Sequence, residues 1–274
     1  MDKFKKNERI GAILYILTNN PNSIFTYNYF VEKFNSSKTT ISGDIVTVKE
    51  LVDKLSIGYV ETIAGAGGGV RFVYNVPSES SEEFLKKLCH RISDESRVIP
   101  GGFIFVMDIL YSPDISSKIG TIFASKFADK NIEYVVTIET KGIPIALMTA
   151  KTLNVPLVII RKDARITEGP TVSINYISGS TGKIQTMSLS RKSMKEGARV
   201  LIIDDFMKAG GTAKGIIDMM KEFKAEVEGI GVFMSTEEPK KKLVDEFESL
   251  LILKEINEQK GEIVLKTKKE LTEE

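Results

Sequence analysis

The stretch RVLIIDDFMKAGGT, residues Arg199–Thr212, joins an apolar run to two acids and then to a loop of small residues. The run Val200–Ile203 is rich in β-branched residues, which predicts a buried strand. We expect this strand to end at Asp204 and Asp205, after which the chain turns through Phe206–Gly211 into a helix. Because open α/β sheets bind ligands beyond the carboxyl ends of their strands, this turn is the expected ligand site.

The chemistry of the turn suits a sugar phosphate. The adjacent carboxylates of Asp204 and Asp205 can accept hydrogen bonds from vicinal ribose hydroxyls, or they can hold a metal ion. The segment Ala209–Thr212 offers small side chains and backbone N–H groups at a helix N-terminus, an arrangement that binds phosphate. The alternative is a plain strand-to-helix turn whose acids cap the helix. Two consecutive acids before a small-residue loop favour the ligand interpretation.

The sequence around this stretch alternates between strands and helices. Strands are predicted at Phe103–Met107, Tyr134–Ile138, Pro156–Ile160, Val200–Ile203 and Val227–Phe233, and helices near Ile115–Ala128, Ile145–Leu153 and Thr212–Phe223. Continuous apolar strands separated by amphipathic helices indicate an α/β fold with a central parallel sheet covered on both faces. The insertion between Asp163 and Ser190 alternates like an antiparallel hairpin and looks too polar to enter the core. The charged C-terminal end is interpreted as a tail.

The N-terminal quarter has a different rhythm. Three helices are predicted from apolar spacing, with inward residues Ile10, Ile13, Leu14 and Leu17, then Tyr27, Phe30, Val31 and Phe34, then Ile41, Ile45, Val48, Leu51 and Leu55. Two short strands, Tyr59–Ile63 and Val70–Val73, follow on either side of the glycine-rich tip Ala64–Gly69, as in a hairpin. This order predicts a winged helix-turn-helix over residues 1–75. The polar run from Val76 to Glu83 is then the junction with a second domain over residues 76–274.

Composition excludes several classes of protein. The 274 residues carry a net charge of +1, so no global basic field indicates a nucleic-acid partner. The single cysteine, Cys89, excludes an intrachain disulfide, and with the single histidine, His90, it cannot build a zinc site of the usual ligands. Cys89 falls in an amphipathic helical pattern, which predicts a buried thiol. The charged N-terminus and the lack of a long apolar stretch predict a cytoplasmic protein without a membrane span.

The stretch Arg199–Thr212 resembles, in order and spacing, the phosphoribosyl-pyrophosphate (PRPP) signature of the type I phosphoribosyltransferases. The resemblance implies that Asp204 and Asp205 contact the ribose hydroxyls. It implies as well that Ala209–Thr212 hold the 5′-phosphate of the ligand.

Other segments lie where that family places further parts of its site. Glu139–Gly142 has the position of the pyrophosphate loop, Arg161–Asp163 that of basic pyrophosphate contacts, and Asp163–Ser190 that of a flexible hood. Without the resemblance, Lys141 and Lys162 would be read as ordinary surface lysines. The expected effector-binding set is Phe103, Thr140, Lys141, Gly142, Arg161, Lys162, Asp204, Asp205, Phe206, Lys208, Ala209, Gly210, Gly211 and Thr212.

Over nearly its full length the chain resembles the purine operon repressors of Gram-positive bacteria, which carry a phosphoribosyltransferase fold. The stretches that carry this resemblance are Ser37–Ser42, Ile99–Phe103, Val158–Asp163, Thr167–Gly169, Ser173–Ser180 and Val200–Thr212. The resemblance implies a homodimeric repressor of purine biosynthesis and salvage genes that binds operator DNA and lacks transferase activity. PRPP is then the inducer, and guanosine tetraphosphate (ppGpp) competes for its site and favours repression. The resemblance leaves open whether Mg²⁺ accompanies these effectors, and no cofactor is expected to be required.

The rival interpretation is an active purine phosphoribosyltransferase with a fused winged helix. Winged helices on biosynthetic enzymes are rare, whereas a DNA reader joined to a metabolite sensor is a common regulatory plan. The family places Phe206 and an aromatic residue at the position of Phe103 against the purine, although both phenylalanines could instead be core residues. A tyrosine is usual at the second position, so this chain lacks the hydroxyl that such a tyrosine supplies. A further departure is Gly43, where the family usually has an acid.

The third helix is expected to begin at Ser37 or Lys38 and to read DNA with its first turn, since recognition helices contact bases through their N-terminal residues. Lys38 can reach a guanine edge or a phosphate, while Ile41 faces inward. Nine basic against seven acidic residues is a thin excess for residues 1–75, so a winged helix used for protein contact stays the alternative. The expected DNA contacts, from the cluster Lys3–Arg9, the third helix and the wing, are Lys5, Lys6, Arg9, Lys38, Thr39, Thr40, Ser42 and Arg71.

Overall fold

A computed structural model describes residues 4–65, 67–163, 169–177 and 182–272. The chain forms a helical unit with a hairpin, followed by an α/β unit. Lys3, residues 167 and 168, and residues 178–180, which the sequence analysis singled out, lie outside the described residues. Within the part of the chain that the structure describes, no helix is long and apolar enough to cross a bilayer.

The N-terminal unit is a winged helix-turn-helix, as its apolar spacing predicts. Two caps set the starts of its second and third helices: the hydroxyl of Thr26 accepts from the N–H of Tyr29 (3.1 Å), and that of Ser37 accepts from the N–H of Thr40 (3.1 Å). The elements are α1 (Lys6–Asn19), α2 (Tyr27–Phe34), α3 (Lys38–Leu55), and the antiparallel strands β1 (Gly58–Ile63) and β2 (Gly69–Tyr74).

One apolar stripe of α3 holds this unit together by packing against the core residues of α1, α2 and the hairpin. The inward position predicted for Leu55 is wrong, because its side chain is 57% exposed. Leu55 is the last residue of the helix, and Ser56 follows in the left-handed conformation (φ +53°), so the chain turns away at this point. The buried stripe consists of Ile41, Ile45, Val48 and Val52.

The second unit is built on one six-stranded sheet. Its helices are α4 (Ser78–Ile92), α5 (Met107–Leu110), α6 (Pro113–Lys126), α7 (Ile143–Leu153), α8 (Gly211–Glu222) and α9 (Lys268–Thr272). Its strands are β3 (Val98–Ile99), β4 (Phe103–Ile104), β5 (Tyr134–Ile138), β6 (Leu157–Ile160), β7 (Thr171–Ile177), β8 (Ile184–Ser190), β9 (Arg199–Met207), β10 (Glu226–Thr236), β11 (Glu248–Asn257) and β12 (Glu262–Thr267).

The sheet has the order β12-β11-β10-β9-β5-β6, and every neighbouring pair is parallel except β11 and β12. Successive residues of β9 enter different apolar clusters, Leu201 and Ile203 on one side and Val200 and Ile202 on the other. Since side chains alternate along a strand, these clusters cover opposite faces of the sheet. The predicted α/β architecture is confirmed, with β9 reaching four residues further than the apolar run alone indicates.

The strand predicted at Phe103–Met107 is wrong. The residues after Gly101 and Gly102 form only the short strand β4, which pairs with β3 outside the main sheet, and Met107 begins α5. The N–H of Phe105 donates to the carbonyl of Arg97 (2.8 Å), which holds this segment in a local hairpin. An apolar run of five residues is too short to distinguish such a hairpin from a sheet strand.

The charged C-terminal end is not a tail, because it supplies strands β11 and β12. In β12 the buried residues Ile263 and Leu265 alternate with exposed or half-exposed neighbours, as expected for a strand with one face in the core. Because the solvent face carries lysines and glutamates, the composition of this segment is typical of a charged tail and does not reveal the alternation.

The insertion before Ser190 is the antiparallel hairpin β7–β8, as predicted, but the expectation that it is too polar for the core is wrong. Its inner face buries Val172, Tyr176, Met187 and Leu189 in the apolar cluster that covers α8. Its other face carries hydroxyl pairs such as Ser173 and Ser188, whose Oγ atoms are 2.7 Å apart. A half-polar composition is what a hairpin with one buried face requires.

Cys89 lies on the inner face of α4 and is 7% exposed, which confirms a buried thiol. Burial, followed by the nearby carboxylates of Glu270 and Glu82, raises the pKa of this thiol to about 12. The thiol therefore stays protonated and unreactive in the folded protein.

The stripe on α3 leads to a prediction about stability. Val52→Ala removes buried methyl groups and should lower the free energy of unfolding by about 2 kcal/mol, whereas Leu55→Ala should change it by less than about 0.5 kcal/mol. Urea unfolding followed by circular dichroism measures both. Equal losses for the two variants would contradict the assignment of Val52, rather than Leu55, to the core.

Candidate functional site

The acid pair lies at the carboxyl end of β9, between the neighbouring strands β5 and β10. Asp204 is buried and Asp205 is half-buried, and the N–H of Asp205 donates to Oδ1 of Asp204 (3.0 Å). Burial, and then the charge of Asp205, raises the pKa of Asp204 well above its usual value. Two such carboxylates favour hydrogen-bond donors or a cation beside them.

Two lysines oppose this loss of charge. Burial raises the pKa of Asp205, while the positive charges of Lys141 and Lys162 act in the opposite direction on the same carboxyl. Both lysines are exposed. The structure therefore places the two predicted pyrophosphate-binding lysines close to the acid pair, which sets cations and anions side by side at one edge of the sheet.

The loop after β9 leads into α8 through Gly210, which has φ +81° and is the N-cap of that helix. Since glycine has no side chain that could cap the first turn of α8, the N–H groups of that turn are available to an anion. A Cβ at this position would lie 3.2 Å from the N atom of Leu243 and 3.4 Å from Val244. Both the positive φ and the close approach therefore require glycine.

A second segment, around Lys242 and Leu243, forms hydrogen bonds that hold this loop in place. The sequence pattern did not indicate this segment as part of the site. The ammonium group of Lys242 donates to the carbonyls of Lys208 (2.7 Å), Thr236 (2.9 Å) and Pro239 (3.2 Å). The N–H of Leu243 donates to the carbonyl of Ala209 (2.9 Å). The conformation of the loop is thus held by the protein itself. A lysine in a charged segment gives no sequence signal for this role.

The pyrophosphate loop predicted at Glu139–Gly142 follows β5 and ends at Gly142, the N-cap of α7. Gly142 is buried against the acid pair, since a Cβ there would lie 3.4 Å from Oδ1 of Asp204 and 2.9 Å from Oγ1 of Thr137. Thr140 and Lys141 are exposed beside it. The N-termini of two helices, α7 and α8, therefore meet at one site.

Arg161 and Lys162 are tied to the same loop through one carboxylate. Glu139 accepts from the N–H of Lys162 (2.7 Å) and from Nη1 of Arg161 (3.2 Å). The guanidinium of Arg161 therefore helps hold the loop, while the side chain of Lys162 is exposed. The structure brings the predicted residues 140–142, 161–162 and 204–212 together.

The hood reaches the site through Tyr176, a residue that the sequence analysis did not assign to it. This buried tyrosine donates its hydroxyl to Oε1 of Gln185 (2.8 Å). Burial and then the charge of Asp204 raise the pKa of Tyr176, and a hydrogen bond with Thr212 lowers it. The side chain of Tyr176 therefore lies beside both the acid pair and the start of α8. Period-two alternation in β7 was the available signal.

The two aromatic candidates are surface residues. Phe206 is 37% exposed near the carboxyl end of β9, and Phe103, the first residue of β4, is 62% exposed. The interpretation of either as a core residue is wrong. The turn that precedes Phe103 lies near the same edge of the sheet, since a Cβ at Gly102 would be 3.5 Å from Oε1 of Glu258, just after β11.

The start of α3 presents the polar groups predicted for DNA contact. Ile41 is buried while its polar neighbours in the first turn face solvent. The hydroxyl of Thr40 also lies 2.8 Å from that of the cap, Ser37. Near the N-terminus, Lys5 and Lys6 are exposed as well. The exposed first-turn residues are Lys38, Thr39, Thr40 and Ser42.

The assignment of Arg9 as a phosphate contact is wrong. Its guanidinium is buried in an ion pair with Asp44, with Nε–Oδ2 at 2.6 Å and Nη2–Oδ1 at 3.3 Å, and Nη1 donates to the carbonyl of Phe4 (2.9 Å). Arg9 shares the inward phase of Ile13 and joins α1 to α3. In the wing, Arg71 faces Glu61 across the hairpin and pairs with it, which reduces its net attraction for phosphate.

Comparison with known proteins gives the following matches. Residues 5–74 match the family model described as bacterial purine repressor, N-terminal, and residues 106–264 match the phosphoribosyl transferase domain. The purine biosynthesis transcriptional repressor PurR of Bacillus subtilis is 46% identical over 255 residues, which cover 93% of this chain and 90% of that protein. The purine biosynthesis transcriptional activator PurR of Lactococcus lactis subsp. lactis is 39% identical over 247 residues, or 90% and 91% of the two chains.

Solved structures support the fold of the second unit. The adenine phosphoribosyltransferase of Trypanosoma brucei, solved with AMP, pyrophosphate and ribose 5-phosphate, matches with a TM-score of 0.51 at 21% identity. The match covers 62% of this chain and 73% of that one. At this identity the likeness concerns the architecture alone.

The close approach at Gly210 can be tested against a matched glycine. Gly210→Ala meets both strain at positive φ and contact with Leu243, whereas Gly197 has φ +75° and open space around it. Gly197→Ala should cost about 1–2 kcal/mol of stability and leave ribose 5-phosphate binding unchanged. Gly210→Ala should cost more and weaken that binding at least about tenfold, as isothermal titration calorimetry would measure. Equal effects of the two substitutions would contradict the proposed role of the loop.

The buried ion pair gives a second prediction. Arg9→Met leaves the Asp44 carboxylate buried without its partner and should destabilise the protein by about 3–5 kcal/mol. The double variant Arg9→Met, Asp44→Leu should recover most of that loss in urea unfolding. It should also keep the salt dependence of DNA binding, because Arg9 contributes no phosphate contact. A reduced salt slope in the double variant would restore the original assignment of Arg9.

Proposed function

The chain belongs to the PurR family of purine biosynthesis transcriptional regulators, and we propose that it is a repressor whose affinity for operator DNA is lowered by PRPP. The observation that carries the proposal is the acid pair at the N-termini of two helices, in one chain with an exposed recognition helix. A sugar that carries two separate phosphate groups matches that arrangement, because each helix N-terminus takes one anion and the carboxylates take hydroxyls.

PRPP is assigned to the site group by group. Its 5′-phosphate binds at the start of α8, in the loop Lys208–Thr212, where Lys242 holds the backbone in place. Its ribose hydroxyls donate to Asp204 and Asp205. Its pyrophosphate occupies the start of α7, where Lys141 and Lys162 supply positive charge. The hood hairpin covers the ribose from the side of Tyr176.

The same groups support competition by ppGpp. Like PRPP, this nucleotide carries two separate phosphate-bearing groups on a ribose, both of them diphosphates, so it requires the same anion sites and excludes PRPP. Its guanine ring has two exposed aromatic faces available near the edge of the sheet, Phe103 and Phe206. We propose that ppGpp favours repression because it occupies the site without producing the effect of PRPP on DNA affinity.

Mg²⁺ enters this proposal with the effector rather than with the protein. Among the described residues there is no group of three or more histidine, cysteine, aspartate or glutamate side chains that could hold a metal ion. Asp204 and Asp205 provide oxygen ligands of the kind Mg²⁺ accepts, and a bound diphosphate would supply the remainder. No further cofactor is required by the site.

The protein is proposed to act as a homodimer without transferase activity. The lack of transferase activity is supported by the winged helix joined to the effector domain and by the regulatory names of relatives that span nearly the whole chain. The homodimer is proposed on the family resemblance alone. The second candidate function is an active purine phosphoribosyltransferase, which the shared domain favours. Incubation with PRPP, Mg²⁺ and each purine base distinguishes the two, since nucleotide formation at ordinary enzymatic turnover would overturn the sensor model.

The regulatory proposal predicts linkage between the two ligands. PRPP should weaken binding to a duplex from upstream of a purine biosynthesis gene by about 5- to 150-fold, and the duplex should weaken PRPP binding by the same factor. Fluorescence anisotropy and calorimetry measure the two directions. Equal PRPP affinity with and without the duplex would falsify the inducer model. Tighter DNA binding with PRPP would indicate an activator, as the Lactococcus relative is named.

Two substitutions should separate the two sites. Asp204→Asn should abolish the PRPP effect and preserve affinity for the duplex, because it removes the carboxylate proposed to bind the ribose and keeps an oxygen that can accept from the N–H of Asp205. Lys38→Ala should lower that affinity by about 1–3 kcal/mol and preserve PRPP binding. Each variant is the control for the other, and a variant that loses both activities would count against separate sites.

A further inference from the structure

Helix α7 has the ligand loop at one end and the DNA-binding domain at the other. It begins directly after Glu139–Gly142 and is 11 residues long, or about 16 Å. At its far end the carbonyl of Leu153 accepts from Nδ2 of Asn22 (3.0 Å), and Nδ2 of Asn154 donates to Oγ of Ser23 (2.9 Å). Asn22 and Ser23 belong to the turn between α1 and α2.

We propose that α7 transmits occupancy of the ligand loop to the DNA-binding domain, and that Asn22 and Asn154 are the positioning residues for this response. The inference rests on the proposed function, because it specifies how the effector alters DNA affinity. It assigns a regulatory role to two side chains outside the proposed effector and DNA contacts.

At the ligand end, the loop Glu139–Gly142 directly precedes α7 and covers a buried hydroxyl group that has no hydrogen-bond partner among the residues described. That group is the fully buried Oγ1 atom of Thr137, beneath Gly142. A shift of the loop that gives this hydroxyl a partner gains a hydrogen bond. A polyanion at the start of α7 interacts with the helix dipole and the loop amides, so its binding energy depends on where the helix lies.

The helix does not move alone, because it is locked to α6. A Cβ at Gly120 of α6 would lie 2.6 Å from the backbone carbon of Met148, so the two helices are in close backbone contact. Near the C-terminal end of α6, the hydroxyl of Ser125 accepts from the N–H of Val76 (3.1 Å) in the segment between the domains. The pair α6–α7 therefore holds the DNA-binding domain at the turn and at the linker.

At the DNA-binding end, the turn is joined to the wing. The N–H of Asn22 donates to the carbonyl of Phe72 (2.8 Å), and Phe25 exchanges two backbone hydrogen bonds with Val70 (both 2.9 Å). Phe72 and Val70 belong to β2. A displacement of the end of α7 therefore moves the turn and the wing as one body.

Both asparagines have left-handed backbones, with φ +60° at Asn22 and φ +58° at Asn154. Glycine adopts this conformation without strain, so Asn22→Gly and Asn154→Gly delete the interdomain hydrogen bonds and preserve the fold. The control for loss of an amide hydrogen bond is Asn20→Gly in the same turn. It deletes an amide hydrogen bond of similar length (2.8 Å, to the carbonyl of Ile16) that lies within the DNA-binding domain.

The experiment measures the ratio of duplex dissociation constants at saturating PRPP and without PRPP, by fluorescence anisotropy with the full chain. Each interdomain variant should reduce this ratio by about two- to tenfold, the range that one neutral hydrogen bond supports. PRPP affinity without DNA should stay within about twofold, and Asn20→Gly should keep the original ratio. A role limited to stability would lower the melting temperature and leave the ratio unchanged.

The outcomes separate this inference from the proposed function. If the unmodified protein shows no PRPP effect on DNA affinity, the inducer model fails, and the inference fails with it. If the unmodified protein responds and both variants respond equally well, the coupling role of α7 alone is wrong. The two variants lie in different domains, so misfolding of one leaves the other as the test.

Discussion

The burial of two adjacent carboxylates at the edge of a parallel sheet is the constraint on which the site depends. Asp204 and Asp205 are taken out of water at the carboxyl end of β9, where burial raises the pKa of each. A fold tolerates such a pair only when donors and positive charge surround it. The converging helix N-termini and the nearby lysines meet that requirement, and they also create the conditions for binding an anion.

The surrounding structure stabilises this arrangement without a ligand. Lys242 ties together three carbonyls behind the phosphate loop, and Glu139 binds the backbone of one basic residue and the guanidinium of another. A loop that is already ordered loses little conformational entropy when an anion binds. The residues that preorganise the site are therefore charged residues in segments whose composition resembles ordinary surface.

The sequence predicts those parts of the fold whose pattern is local. The continuous apolar strand β5 and the cap at Thr26 are recognised from a few neighbouring residues, and the structure confirms both. Features that depend on distant partners are missed. The ion pair of Arg9 with Asp44 joins positions 35 residues apart, and nothing in the N-terminal basic cluster distinguishes this arginine from its exposed neighbours. The strand β12 is missed for a different reason, since the charged residues of its solvent face mask the alternation, although its partner β11 carries the apolar run Leu250–Leu253.

The single cysteine has a practical consequence for studying motion in this protein. Because burial raises the pKa of the Cys89 thiol to about 12, the native chain offers thiol reagents no reactive target at neutral pH. A cysteine introduced at an exposed position, such as Tyr15 on α1 or Lys130 beyond α6, would accept a fluorophore selectively. Distances between labelled positions can thus be followed without first removing the native residue.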